Sequence, residues 1–202
     1  IKISSGSLTN IPLIQAASRL NLLIIMSTGM AYESEIKEAM KAAKKFNKKN
    51  KVAILKCTSI YPADLNTLNL NVIHELKKKF KVPIGYSDHS LGIQACLSAV
   101  SLGAKIIEKH FTLNKNKKGA DHKISSEPKE FKKMVSGIRD IEKMLGRSNI
   151  YPTKKEILLR KFYHRYLVAK KRISKGEKLS SSKIGIKRLY KHRTGALQPK
   201  FL

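Results

Sequence analysis

The fold of this chain is decided by two stretches, GYSDH at residues 85–89 and IEKHF at residues 107–111. Each begins as a short run suited to a strand and leads to a histidine, His89 in the first and His110 in the second. A helix-length apolar segment separates them, which is typical of two parallel strands joined by a crossover helix. We therefore predict a β-α-β unit in which both histidines lie at the carboxyl ends of neighbouring strands.

The same alternation extends along the chain in both directions. The runs are almost continuously apolar, as in strands that are covered on both faces. Strands are predicted at 1–4, 22–26, 52–57, 83–86 and 105–109. Helices are predicted at 10–20, 34–47, 69–80, 93–102 and 128–145. Five strand-helix units predict an α/β fold with a parallel sheet.

Two α/β folds accommodate five such units, a doubly wound sheet and part of a (β/α)₈ TIM barrel. Reactive or hydrogen-bonding residues follow all five predicted strands, and the strands of a barrel bring such residues to one mouth. A doubly wound sheet would gather them mainly at one switch point. The pattern therefore favours the barrel. Because a whole barrel needs about 250 residues, we expect this 202-residue chain to hold the last five units and to lack the first three.

The sequence pattern changes after Gly146, where the alternation of apolar strands and helices ends. We predict that residues 1–147 are the barrel part and that the polar segment 148–164 is a linker. Short strand-like runs at 165–169 and 184–189 flank a turn, so residues 165–202 are predicted to be a small β-rich domain that is truncated at its end.

The chain is strongly basic, with 42 Lys and Arg against 14 Asp and Glu and a net charge of +28. Such a balance is typical of nucleic-acid-binding proteins, but these lysines are spread over predicted helix faces, which usually means a solvated surface. The pattern therefore argues against a nucleic-acid partner, although the charge would attract an anionic substrate. A non-catalytic module that binds acidic glycans or nucleic acid is the alternative of another class.

Cysteine use and hydropathy point to the compartment. The two cysteines, Cys57 and Cys96, have no C-x-x-C spacing and lie in apolar runs, which predicts buried free thiols. No apolar run approaches the roughly 18 residues that cross a bilayer, and no signal peptide is visible. We expect a soluble cytoplasmic protein with no membrane partner.

The histidine pair suggests a metal site. Neighbouring strands lie about 4.8 Å apart, so His89 and His110 would reach one ion, and imidazole pairs suit Mn²⁺, Zn²⁺ or Fe²⁺. Each histidine would otherwise be a hydrogen-bonded core residue. His122, which follows Asp121, is either a third ligand or a positioning residue.

Hydroxyl groups and one lysine recur at the same strand ends. A lysine with several hydroxyls makes a cradle for phosphate or carboxylate, although single serines are common in turns. The candidate set is Lys2, Ser5, Ser27, Ser59 and Ser87.

Acidic residues are predicted at this mouth as well, namely Asp88, Glu108 and Asp121. They would hold substrate hydroxyls, orient a metal-bound histidine or relay protons. Glu108 and Lys109 would alternatively form an ion pair inside the barrel.

These motifs resemble the sialic acid synthase family, which includes the synthases of neuraminic, legionaminic and pseudaminic acids. The resemblance rests on STGM at 27–30, CTSIYP at 57–62, GYSDHSLG at 85–92, IEKHFTL at 107–113 and GADHK at 119–123. The small domain is similar to the antifreeze-like (SAF) domain of the family through ISKGE at 173–177 and Lys187-Arg188.

The resemblance implies an enzyme that condenses phosphoenolpyruvate with N-acetylmannosamine, or a related N-acyl amino sugar, to give N-acetylneuraminate and phosphate. Legionaminate and pseudaminate synthases are the alternatives with the same mechanism. His89 and His110 match the metal ligands; the metal is typically Mn²⁺, with Mg²⁺ or Co²⁺ as alternatives. The serines and lysine of the candidate set match positions that hold phosphoenolpyruvate.

The resemblance also assigns catalytic and sugar-binding positions. His89, His110 and Asp121 match catalytic residues, and Tyr61, Asp121 and Phe162 match positions at the sugar. Arg188 matches an arginine that reaches the sugar site of the partner subunit, which implies a domain-swapped homodimer.

Several positions depart from the pattern of the family. Ser7 stands where glutamate is usual, Lys56 where histidine is usual, and Leu189 replaces a proline after Arg188. Arg193 is therefore a rival to Arg188. Because three strands are absent, we expect this chain alone to be inactive. A different carbon–carbon bond-forming barrel enzyme, such as an aldolase with a Schiff base at Lys2 or Lys109, is a further alternative.

Overall fold

The computed structural model describes residues 1–47, 51–189 and 195–201, and the chain divides into two compact units, 1–146 and 147–202. The strands of the first unit are β1 (Lys2–Ile3), β2 (Ile24–Ser27), β3 (Val52–Cys57), β4 (Ile84–Asp88) and β5 (Ile107–Lys109). Its helices are α1 (Ile11–Arg19), α2 (Glu33–Lys44), α3 (Val72–Phe80), α4 (Gln94–Ser101) and α5 (Pro128–Leu145).

The five strands form one parallel sheet in the order β1-β2-β3-β4-β5. Because the order never reverses, this sheet has no switch point of the doubly wound kind. The sheet is also strongly curved, since Lys2 in the first strand and Glu108 in the last lie 3.5 Å apart across its concave side. The predicted α/β fold is therefore confirmed as a five-stranded half-barrel.

The hydrophobic core lies between this sheet and the helices on its convex side. Ile24, Ile54 and Tyr86 from the strands and Ile73 from α3 are fully buried there. Burying such a side chain contributes about 1.5–3 kcal/mol to folding. Helix α1 begins where Asn10 accepts a hydrogen bond from the Leu13 amide at 3.2 Å, as an N-cap residue does.

Alternation along the strands sorts neighbouring residues onto opposite faces. Ser87 and Glu108 are register partners on the concave face, and Asp88 and Lys109 are register partners on the convex face. Strand β4 continues to Asp88, beyond the predicted end at residue 86, because pairing with β5 extends it. This alternation separates the residues that line the concave face from those that pack under the helices.

The second unit contains α6 (Lys154–Tyr163) and the antiparallel strands β6 (Arg165–Ala169) and β7 (Ile184–Arg188). The segment predicted as a linker, 148–164, therefore includes a helix. A capping box begins it: the Glu156 amide donates to Thr153 Oγ1 at 3.2 Å, and the Thr153 amide donates to the Glu156 carboxylate at 2.6 Å. The T-x-x-E spacing that marks this cap was readable in the sequence.

Two predictions from the sequence concerned the burial of the cysteines and the presence of membrane-spanning segments. Cys57 and Cys96 are free and buried, as predicted. Among the described residues, no helix has the length and apolar character that crossing a membrane requires.

Candidate active site

A cavity of about 550 Å³ lies on the concave side of the half-barrel, at the carboxyl ends of its strands. The structure brings eight of the sequence-predicted site residues together in its wall: Lys2, Ser5, Ser27, Ser59, Tyr61, Ser87, His89 and His110. All five strands contribute, as in the active-site mouth of a barrel. Ser4, Gly6, Met30, Cys57 and Glu108 also line the cavity.

Four of these cavity residues were not predicted as site residues from the sequence, namely Ser4, Gly6, Met30 and Cys57. Gly6 and Met30 have no side chain that participates in common active-site chemistry, so only their positions next to Ser5 and Gly29 could have indicated them. They define the shape of the cavity and leave its polar groups to the neighbouring serines.

The two histidines form a compact aromatic group with Tyr61. The centroids of the His89 and His110 rings are 5.3 Å apart, and the rings meet edge to face. The Tyr61 ring lies 4.0 Å from that of His89 and 5.9 Å from that of His110. The three rings therefore share one end of the cavity.

Hydrogen bonding selects the tautomer of His89. Its Nδ1 lies 2.8 Å from the carbonyl oxygen of Thr58, which can only accept, so Nδ1 carries the proton. The neutral ring then has its lone pair on Nε2. A backbone carbonyl on the second nitrogen is the usual arrangement for a metal-ligating histidine.

His110 also has a polar neighbour beside its Nδ1 atom, in this case an acidic residue. Its Nδ1 lies 3.7 Å from Asp121 Oδ2. His122, by contrast, directs Nδ1 to Thr112 Oγ1 at 2.7 Å and is absent from the cavity wall. Across the described ranges, no group of three or more His, Cys, Asp or Glu side chains is arranged to hold a metal, so the candidate donors are the two imidazoles.

The serines of the predicted phosphate or carboxylate cradle differ in whether their hydroxyl groups have hydrogen-bond partners. Ser5 Oγ accepts from the Gly29 amide at 3.0 Å, and a Cβ on Gly29 would collide with the hydroxyls of Ser5 and Ser59, so only glycine fits between them. Ser27 Oγ is buried and has no hydrogen-bond partner. Leaving a buried hydroxyl unpaired costs about 1–3 kcal/mol, and Ser27 also lines the cavity.

Glu108 connects the two sides of the cavity. It accepts a hydrogen bond from Ser87 Oγ at 2.7 Å and lies 3.5 Å from Lys2 Nζ. Both charged side chains are about one-third or more exposed, at 42% for Glu108 and 34% for Lys2. The pair is therefore accessible to an anionic ligand, which would replace Glu108 as the partner of Lys2.

Cys57 has an unusual thiol in this wall. Burial raises the pKa of Cys57, but interactions with His89, Ser5 and Ser59 outweigh that effect and bring the pKa to about 7. Lys56, its neighbour on the strand, points to the other face, where burial lowers the pKa of its amine and its Nζ donates to the Cys57 carbonyl and to Thr58 Oγ1, each at 3.0 Å.

Two charged residues that were predicted near the mouth lie elsewhere. Asp88 and Lys109 point to the convex face and form a buried ion pair with a distance of 2.8 Å, because alternation turns them away from Ser87 and Glu108. The alternative in which Glu108 and Lys109 pair with each other is therefore wrong, since Glu108 pairs with Lys2 and Lys109 with Asp88. A Schiff base at Lys109 would require this amine in the cavity, so the geometry also counts against that aldolase alternative.

The remaining predicted sugar-site residues belong to the second unit. Phe162 lies in α6, and Arg188 ends β7 with its guanidinium carbon 5.1 Å from the centroid of the Tyr163 ring. Arg193 lies outside the described residues.

The half-barrel with a polar cavity at its strand ends defines the class as a barrel-type α/β protein. Comparison with known proteins identifies the family: the model of the NeuB family matches residues 1–150. The chain belongs to the NeuB family.

Characterised relatives share this similarity. The chain is 45% identical over 188 residues to N,N'-diacetyllegionaminic acid synthase of Campylobacter jejuni, covering 93% of this chain and 56% of that protein. It is 35% identical over 191 residues to N-acetylneuraminate-9-phosphate synthase of Homo sapiens, covering 92% of this chain and 52% of the relative.

A solved structure is also similar, the crystal structure of N-acetylneuraminic acid synthetase from Leptospira borgpetersenii in complex with citrate. The TM-score is 0.73 at 43% identity, and the match covers 79% of this chain and 56% of that one. The chain thus spans about half the length of the curated relatives that it matches.

Proposed function

We propose that the protein, as its gene encodes it, is a sugar-acid synthase that condenses phosphoenolpyruvate with an N-acyl amino sugar. The observation that carries the proposal is the cavity itself, in which a lysine, five serines and two imidazoles from five successive strands line one space of about 550 Å³. That set of groups suits an anionic three-carbon acid and a polarised carbonyl in adjoining positions. The family membership of the chain supports the same reaction class.

Phosphoenolpyruvate would occupy the cradle. The Lys2 ammonium would pair with its phosphate or carboxylate, and Ser5 and Ser59 would donate hydroxyl hydrogen bonds to its oxygens. Ser87 now donates to Glu108 and would donate to the ligand by exchanging that partner. Ser27 supports this assignment because its buried hydroxyl has no partner within the protein. The ligand would supply the acceptor that Ser27 lacks.

The donor set fits a divalent metal ion. His89 directs its second nitrogen to a carbonyl and His110 faces a carboxylate, which are the usual outer partners of metal-ligating histidines. We propose Mn²⁺, with Mg²⁺ or Co²⁺ as alternatives. When bound, the ion supplies a Lewis acid for the aldehyde oxygen of the open-chain sugar.

The reaction joins carbon 3 of phosphoenolpyruvate to the aldehyde carbon of the sugar. Water adds at carbon 2, and phosphate leaves with cleavage of the bond between carbon 2 and oxygen, so the product is a 2-keto sugar acid. Tyr61 would lie against the sugar, since its ring borders both histidines. Asp121, 3.7 Å from His110 Nδ1, would hold a sugar hydroxyl or move a proton at that position.

Three amino sugars are candidates for the substrate. N-acetylmannosamine, which gives N-acetylneuraminate, is the first candidate that the family resemblance implies. A diacetylated amino sugar, which gives a legionaminate, is favoured by the 45% identity to the Campylobacter jejuni synthase. Pseudaminate synthase is the third member of the same mechanism.

The second unit has a proposed role in the sugar site. We propose that residues 165–202 are an antifreeze-like domain, with the antiparallel pair β6–β7 as support. Phe162 and Arg188 would then contact the sugar, Arg188 from the partner subunit of a domain-swapped homodimer in the cytoplasm. We expect the 202-residue chain by itself to be inactive.

The test is phosphate release from phosphoenolpyruvate by the protein as its gene encodes it. Phosphate should be released from phosphoenolpyruvate with N-acetylmannosamine or with the diacetylated amino sugar in the presence of Mn²⁺. His89→Ala and His110→Ala should each lower kcat by at least about a hundredfold. His74→Ala, which changes an exposed histidine of α3, is the matched control and should retain full activity. No release with either sugar or with the sugar precursor of pseudaminate would refute the synthase and leave the basic surface as the basis for a binding function.

A further inference from the structure

The residues immediately before the two candidate metal ligands form a buried ion pair. Asp88 precedes His89 and Lys109 precedes His110, and the two are register partners across β4 and β5. Their charged groups lie 2.8 Å apart with side-chain exposures of 0% and 1%. The cavity ends of both strands are thus connected from behind, on the face that the cavity does not touch.

The Asp88 carboxylate is fully engaged. Oδ1 accepts from Tyr86 Oη at 3.1 Å, the Ser90 amide at 2.9 Å and Ser90 Oγ at 2.8 Å. Oδ2 accepts from Lys109 Nζ and, at 3.3 Å, from Cys96 Sγ in α4. Five donors around one carboxylate, joined to strand and helix, leave it a single orientation.

Lys109 forms hydrogen bonds with both residues that flank His89 in the sequence, Asp88 and Ser90. Its ammonium bonds the Asp88 carboxylate on one side of the histidine and the Ser90 carbonyl oxygen on the other. The His89 carbonyl itself accepts from the Ala63 amide at 3.0 Å. One amine on β5 therefore fixes the backbone from which the His89 ring projects, while the next residue along the chain is His110.

We infer that the Asp88–Lys109 pair is a positioning device that sets the spacing of the His89 and His110 rings, and with it the affinity of the site for a divalent ion. Neither residue lines the cavity. This inference rests on the metal site of the proposed function. Its physical basis is that second contacts behind metal ligands change metal affinity by about 10–100-fold.

The experiment measures the Mn²⁺ dissociation constant by electron paramagnetic resonance, using the protein as its gene encodes it. The variants are Asp88→Asn, Lys109→Met and the double variant. His89→Ala defines loss of the site. Ile73→Ala, which opens the core away from the pair, controls for destabilisation alone and should keep the dissociation constant within about threefold, since folded protein is measured.

Positioning predicts that Asp88→Asn and Lys109→Met each weaken Mn²⁺ binding by at least about tenfold. A simple charge effect would move them in opposite directions, because removing the lysine would favour a cation and removing the carboxylate would disfavour it. The double variant buries no charge, so it tests the inference if Lys109→Met does not fold, and it should also bind at least about tenfold more weakly.

Two further outcomes are distinct. If His89-dependent binding is present and unchanged in all three variants, or tighter in Lys109→Met, the inference is overturned and the metal site stands. If the reference protein has no His89-dependent binding, the metal site of the proposed function is overturned together with the inference.

Discussion

Two lysine–carboxylate pairs lie on opposite faces of the same sheet and differ mainly in their access to water. Lys2 and Glu108 meet at 3.5 Å in the cavity with both side chains about one-third or more exposed, whereas Asp88 and Lys109 meet at 2.8 Å with almost no exposure. A buried pair must stay intact, since separating it leaves an uncompensated charge. A solvated pair can exchange partners at little cost.

The difference assigns the two faces to different tasks. On the concave face, the partly exposed Lys2 contacts Glu108 and the Ile3 carbonyl, and Ser87 and Ser27 line the same cavity. On the convex face, Lys109 is committed to Asp88 and Ser90 and serves as structure. Residues adjacent in sequence are thus divided between the wall of the cavity and the buried face beneath the helices.

The largest effect should come from breaking the buried pair. Lys109→Met leaves the Asp88 carboxylate buried without its counter-charge, and we expect the free energy of unfolding to fall by about 3–5 kcal/mol. Lys2→Met is the same substitution on the cavity face and should cost about 1 kcal/mol or less. Urea unfolding measures both. Equal losses in the two variants would contradict the contrast between the faces.

An intermediate effect is expected at Ser27 on the cavity face. Ser27→Ala removes a buried hydroxyl that has no partner, so the free energy of unfolding should stay unchanged or rise. The KM for phosphoenolpyruvate should rise by about ten- to a hundredfold, because a hydrogen bond to a charged group is worth about 1.5–3 kcal/mol. Steady-state kinetics and urea unfolding measure the two quantities.

The control for Ser27 is Ser126→Ala. Ser126 Oγ is also buried and without a partner, but Ser126 does not line the cavity. Its substitution should give the same change in stability and leave the KM for phosphoenolpyruvate unaltered. An unchanged KM in Ser27→Ala would remove Ser27 from the cradle.

The smallest effect concerns Glu33, an exposed carboxylate that contacts two lysines on the outer surface. Hydrogen bonds from Lys37 and then Lys79 lower the pKa of Glu33 to about 2. A lowered folded-state pKa gives stability that is present above the unfolded value of 4.5 and is lost as the pH falls towards about 2.

Glu33→Gln should therefore change the Tm at about pH 7 by no more than about 2 °C, because solvent screens the pair. The variant should lack the part of the acid-induced loss of stability that belongs to Glu33. Thermal unfolding between about pH 2 and pH 7, at low and high salt, checks both statements. A Tm loss at neutral pH as large as that of Lys109→Met would contradict the dependence on burial.

Much of the fold was predictable from local patterns. Helix α5 has the predicted bounds, Pro128–Leu145, because proline suits a first helical turn and Gly146 suits a helix end. Strand β3 also has its predicted bounds, Val52–Cys57, since all six residues are buried and the apolar run is almost continuous. Helix α6 was predicted as part of a linker because the segment is polar, and its capping box did not enter that prediction.

The gathering of the candidate site was predictable for a related reason. Polar residues that follow successive parallel strands must meet at one edge of the sheet, so Ser27, Ser87, His89 and His110 could be grouped before any distance was known. The sequence could not indicate that Ser27 would lack a partner, because hydrogen-bond satisfaction depends on every neighbour in space.

The sequence by itself determined the order of strands and helices and the residue types at each strand end. Only the tertiary structure decided which acid pairs with which base. Glu108 and Lys109 are neighbours in the chain, yet alternation sends one across the cavity to Lys2 and the other beneath α4 to Asp88. Partners so distant in sequence are brought together by the curvature and register of the sheet, which no local pattern encodes.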